Sequence, residues 1–187
     1  MVEVKRSGKK KTSGRAGTSR TVSSRSSPEN DKALRKQLTK LLDGGQAHAD
    51  WGKALAEMPP DLRGVKLERA PHTAWQLLEH MRIAQRDILE FSRNPKHVSP
   101  QFPEGYWPAT EAPPSAEAWD QSVNAFGRDL EEMKKLVSNP KTNLFERIAH
   151  GDGQTILREA LLVADHNAYH LGQLLLVRKM LGAWQES

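Results

Sequence analysis

What constrains this chain most is the period of its apolar residues. In four separate stretches they recur every three or four positions, the spacing that lines them along one face of an α-helix, and glycine- and proline-rich joins part the stretches. Leu34, Leu38, Leu41 and Leu42 open the series, which stops at Gly44-Gly45, a helix-ending pair. A short turn over residues 50–58 runs into Pro59-Pro60. A second long helix is predicted from Thr73, which forms a capping box with Gln76, to about Arg93, just before Asn94-Pro95. Its apolar set is Leu77, Leu78, Met81, Ala84, Ile88 and Phe91. The third stretch carries Trp119, Val123, Phe126, Leu130, Met133 and Val137 behind a Ser115 cap. The fourth runs from about Thr155 to Leu181, with Gly182 as its stop.

No hairpin dipeptide is flanked by alternating runs and β-branched residues are sparse, so strands have little support. Four amphipathic helices with polar joins predict an all-α fold, a four-helix bundle over residues 29–187. Residues 94–114 hold six prolines and no period, and form a long irregular connection. Within it, Tyr106-Trp107-Pro108 is read as a lid or, in preference, a plug for one end of the bundle.

The net charge of +5 on 187 residues suggests an acidic partner until it is divided along the chain. Residues 1–28 carry a net +7 and residues 29–187 a net −2. The basic segment is mostly Ser, Thr, Gly, Lys and Arg, with almost nothing apolar to offset its ordering entropy, and is expected to be a disordered tail. Without interleaved aromatics it reads as a solvated extension, and nucleic acid is a partner only through this tail. No apolar run approaches the roughly 18 to 20 residues of a membrane span. None follows the basic N-terminus as a secretory leader requires, so the expectation is no membrane and a cytoplasmic location. The chain has no cysteine, which excludes disulfides, thiolate metal sites and a cysteine nucleophile.

The chemistry is concentrated in "ADHNAYHLGQLLLVRKMLG". His166 and His170 stand four apart and project from one side of the last helix. Within about 80° of His166 at helical spacing fall Leu162, Val163, Leu174, Val177, Met180 and Leu181, which places the pair in an apolar stripe. Adjacent imidazoles in a bundle interior need partners for four ring nitrogens. A divalent metal supplies them, and so do neighbouring polar groups in a merely structural arrangement. For the metal, His80 on the second helix is the best third ligand, lying near that helix's apolar face. Three imidazoles and no carboxylate would leave the metal cationic with open positions, the catalytic rather than the structural pattern.

Asp87, Glu159 and Gln173 share angular positions with the three histidines. They are candidates to orient an imidazole or act as a base, with pairing to an arginine the alternative for the acids. Asp165 points away. His48 and His72 are weaker candidates for ligand or substrate contact, and His97 and His150 are assigned to solvent. The residue after His166 is Asn167, so the zincin base, a Glu at that place, is missing.

The last helix, "LREALLVADHNAYHLGQLLLVRKMLGAW", with "PHTAWQLLEHMRIAQRDILEFSRNP" and "EGYWP", resembles the DinB-like superfamily, also called DinB/YfiT-like metalloenzymes. The likeness covers residues 29–187. It implies a four-helix bundle binding a divalent metal, most often zinc or nickel, through one histidine of the second helix and two of the fourth. By position these are His80, His166 and His170. The resemblance also implies thiol-dependent transfer or isomerisation with an external low-molecular-weight thiol, a small-molecule substrate and a homodimer. It does not imply DNA binding. A non-catalytic, stress-associated bundle or small-ligand binder without metal is the alternative.

Overall fold

The computed structural model describes residues 27–184. Four long helices, α1 (Pro28–Asp43), α3 (Ala74–Arg93), α4 (Ala118–Ser138) and α5 (Ile156–Met180), form the bundle, with a short α2 (Trp51–Leu55) between the first two. Single 3-10 turns at Pro60–Leu62 and Glu104–Tyr106 interrupt the loops. Among the described residues no strand forms; an isolated bridge joins Arg147 and Thr155. The expected tail falls outside the described residues up to residue 26. Ser27 and Pro28 already belong to the cap and first turn of α1.

Local chemistry sets most helix ends. Ser27 and Thr155 cap α1 and α5 by accepting from the backbone N–H three residues on. Thr73 and Gln76 complete the capping box of α3 in both directions. Gly44 and Gly45, at φ of 70° and 72°, take the left-handed conformation that ends α1. The exception is α4, where Ser115 is not the cap. The helix starts after Glu117, whose backbone is already helical, with no side-chain cap; Ser115 contributes its carbonyl to the Ala118 N–H.

Helix α3 packs against both α4 and α5, and α1 packs against the same two from the other side. Trp119, Phe126, Leu78, Met81, Met133, Leu130 and Leu174 fill the space between them at 2% exposure or less. Each such side chain contributes about 1.5–3 kcal/mol by leaving water. Two buried arginines act as clamps that periodicity cannot show. Arg35, and not Leu41, faces inward from α1, and its guanidinium donates to the carbonyls of Val137 in the last turn of α4 and of Asn139 and Thr142 just beyond it. Arg178 does the same from α5 to Ala54, Ala56 and Ala183.

The proline-rich connection does not hang free. Thr73 Oγ1 donates to the Glu111 carbonyl at 2.6 Å, and the Trp75 indole N–H to Thr110 at 3.2 Å. Gly64 lets it come close, since a Cβ there would meet that of Ala112 at 2.3 Å. The segment is thereby folded back along α3, which brings Tyr106 and Trp107 over the face of that helix. No described helix is long and apolar enough to cross a membrane.

Candidate metal centre

Helices α3 and α5 bring His80, His166 and His170 together. His80 Nε2 lies 3.1 Å from His170 Nε2 and 3.1 Å from His166 Nε2. One ligand-type atom from each of the three falls within 4.8 Å of the others. The cluster is not where helical periodicity centres it. The buried arc of α5 runs through Ala160, Val163, Ala164, Asn167, Leu171 and Leu174. His166 stands at its edge, while Met180, Leu176 and Leu161 face outward. Helix α5 carries leucines nearly all round, so apolar period alone cannot say which side meets α3.

The outer nitrogens of two rings are tied down. His80 Nδ1–H donates to the Tyr106 carbonyl at 2.9 Å, and His170 Nδ1–H to Gln173 Oε1 at 2.8 Å. Both acceptors are oxygens, which puts the ring proton on Nδ1 and leaves Nε2 a bare lone pair. Two such lone pairs then face each other at 3.1 Å, an arrangement that is repulsive unless something positive lies between them. A shared proton is disfavoured. His166 is pushed down to about 4 by burial and by the imidazoles of His170 and His80, against a smaller opposing effect of Asn167. His80 and His170 are lowered chiefly by burial, against the Tyr106 carbonyl in the first and Gln173 in the second.

A divalent cation would resolve the conflict. Metal–nitrogen bonds of about 2.0–2.1 Å at tetrahedral angles place nitrogens roughly 3.3 Å apart, close to the spacing found. Neutral imidazole is also the form that binds metal. The three-histidine cluster can therefore hold a divalent metal ion, and three protein ligands leave room for exchangeable ones.

Of the other candidates, Gln173 touches a ligand, as described. Asp87 does not. Its carboxylate accepts from the Tyr106 hydroxyl at 2.6 Å and from His97 Nε2 at 2.7 Å, so it acts on His80 only through the residue whose carbonyl holds that ring. Glu159, 2% exposed, pairs with neighbouring Arg158 at 2.8 Å and reaches no imidazole in the hydrogen-bond network. His97, assigned to solvent from sequence, is thus bonded, and His150 bonds the Phe91 carbonyl at 2.7 Å.

Sequence reasoning undervalued Trp107. Its indole stacks flat on His80, with centroids 3.9 Å apart and planes 1° from parallel, and His72 also stacks on it at 3.8 Å. The Tyr106-Trp107 pair therefore covers the His80 face of α3 rather than plugging an end. His48 is exposed and bonds only its neighbour's carbonyl among the described contacts. Tyr169, also exposed, stands edge-on to His170 at 4.9 Å. Asn167, noted in the sequence only as standing where a zincin has its base, and Gln85, not singled out there, join inside the core at 2.8 Å.

A family model described as the DinB superfamily matches residues 45–174, a span that begins after α1 and contains all three histidines. No curated protein and no solved structure matches the chain.

Proposed function

The chain belongs to the DinB superfamily, and from that premise we propose that it is a metal-dependent enzyme. His80, His166 and His170 hold a divalent cation, zinc or nickel, and the substrate is a small electrophilic molecule that undergoes transfer or hydrolysis. The observation that carries this reading is the pair of Nε2 lone pairs held 3.1 Å apart by acceptors behind them. When bound, the metal would supply Lewis acidity, lowering the pKa of water or of an external low-molecular-weight thiol at an open position. The chain has no cysteine, so a thiol nucleophile must come from outside.

The chain's own residues hold and shield. The Tyr106 carbonyl and Gln173 keep two rings in the ligating tautomer. Trp107 lies over the face of His80 and excludes water from it. Tyr169, exposed beside His170, is the aromatic surface an incoming substrate meets. No carboxylate among Asp87 and Glu159 is free to serve as base, because each is already engaged. The proton released by the nucleophile therefore passes to solvent or to the substrate itself.

Elemental analysis of the purified, untagged protein, before and after chelation, tests the reading. Close to one metal per chain is expected, lost on changing His80, His166 and His170 together to Ala while the helical spectrum is retained. Full occupancy in that triple variant would overturn it.

A further inference from the structure

Three buried side-chain polar atoms among the described residues lack a hydrogen-bond partner: Gln154 Oε1, His166 Nδ1 and Asn167 Oδ1. The last two belong to adjacent residues, and one is a nitrogen of the metal cluster. Asn167 is itself held in a directed row. Its Nδ2 donates to Gln85 Oε1 at 2.8 Å, and Gln85 Nε2 donates to the Phe126 carbonyl at 2.7 Å. A backbone carbonyl can only accept, so the sense of the row is fixed from α4 outward. The Gln85 amide must turn its nitrogen to Phe126 and its oxygen to Asn167. Asn167 must spend its nitrogen on Gln85, which leaves its oxygen as the free end. A buried acceptor without a donor is costly, and the buried nitrogen next to it in sequence is equally without a partner.

We infer that Asn167 is a positioning residue of the metal site: in solution the two atoms left without partners here pair, Asn167 Oδ1 accepting the Nδ1–H of His166, which keeps the Nε2 lone pair of that ring turned toward those of His80 and His170. The inference rests on the reading of the cluster as a metal centre. It gives the third imidazole what the Tyr106 carbonyl and Gln173 give the other two, so all three share one tautomer and no ring proton stands between them. It also assigns a chemical character to the site. All three acceptors are neutral, two amides and a peptide carbonyl, where a carboxylate in the same place would raise the basicity of its histidine. Neutral acceptors leave the bound cation more electron-poor, which suits polarisation of a substrate. The position that a zincin fills with its base is here given to holding a ligand.

Two-bond proton–nitrogen spectra of the histidine rings, taken on metal-free protein above pH 7, report each tautomer directly. The expected result is His166 as Nδ1–H in the wild type and in Asn167→Asp, which keeps the acceptor. Asn167→Leu should move it toward Nε2–H. Zinc affinity, read by competition with a chromophoric chelator, should fall roughly 10–100-fold in Asn167→Leu and be retained in Asn167→Asp. Gln85→Leu, which leaves Asn167 in place and removes its anchor, should shift both readouts in the same direction and carries the test if Asn167→Leu does not fold. A wild-type His166 found as Nε2–H overturns the inference, as do unchanged tautomer and zinc affinity in the two Leu variants. A wild type that shows the Nδ1–H tautomer yet takes up no zinc is a different failure, that of the metal reading.

Discussion

Changing Tyr106 to Phe removes a single oxygen, one residue away from the metal ligands, and should weaken metal binding nonetheless. That hydroxyl donates at 2.6 Å to the Asp87 carboxylate, whose side chain is 12% exposed. A hydrogen bond to a charged acceptor contributes about 1.5–3 kcal/mol. The bond does not hold the bundle together. It holds the Glu104–Tyr106 turn against α3, and that turn presents the carbonyl that takes His80 Nδ1–H and the indole that stacks on His80. Its loss should shift the balance between docked and undocked connection by roughly ten- to a hundred-fold, since each 1.4 kcal/mol is a factor of ten. Metal affinity should fall by up to that factor, because only the docked form fixes the His80 tautomer. The assay is chelator competition on wild type and variant, paired with amide hydrogen exchange at residues 104–107. Faster exchange there, with exchange in the α4 core unchanged, is the expected companion. A variant with wild-type metal affinity and wild-type protection over that turn would refute the reasoning.

Three further predictions follow from the same contacts. Burial and the Asp87 carboxylate push the Tyr106 hydroxyl up to about 12; its folded value is raised, so the stability it contributes is full below about pH 10 and lost as pH rises through 12. In a Tyr169→Phe background, where Tyr106 is the one tyrosine left, ultraviolet titration should show ionisation moving toward 10 when Asp87 becomes Asn. Burial alone would raise the Glu79 carboxyl, but Arg82 and Ser122 outweigh it and hold it below the usual range. That contribution is present above about pH 4.5 and disappears as pH falls, so Glu79→Gln should flatten the acid limb of a stability-versus-pH curve. Arg35→Met, which leaves three carbonyls at the α4–α5 join without their donor, should cost about 3 kcal/mol or more in denaturant unfolding.

The helices were readable because their signals are local. The Thr73 capping box, the Gly44-Gly45 stop and the leucine spacing of α1 need only a few neighbouring residues to act, and each appears where the chain places it. Ser115 failed for the same reason in reverse. A serine is a good cap only if the backbone turns there, and packing of the connection started α4 two residues later. The long helices and most of their ends were thus legible in the sequence alone, and His80 stood out as the best third partner for the pair on α5, since it alone of the remaining histidines stands on a long helix.

Which groups sit behind those histidines was decided by tertiary structure. Asp87 has the angle to reach His80 but spends its carboxylate on Tyr106 and His97, because the connection folds back along α3. Glu159 is in register with His166 but is taken by Arg158. The acceptors found are the Tyr106 carbonyl, which has no signature in sequence, and the Gln173 amide, one turn along α5 from His170; the sense of the Asn167 amide depends on a carbonyl two helices away. A tautomer is fixed by the partner a ring nitrogen meets across space. The chain's spacing therefore brings three imidazoles within reach of one another and sets Gln173 one turn from His170, and only the docking of the proline-rich connection along α3 turns the His80 lone pair toward a common centre.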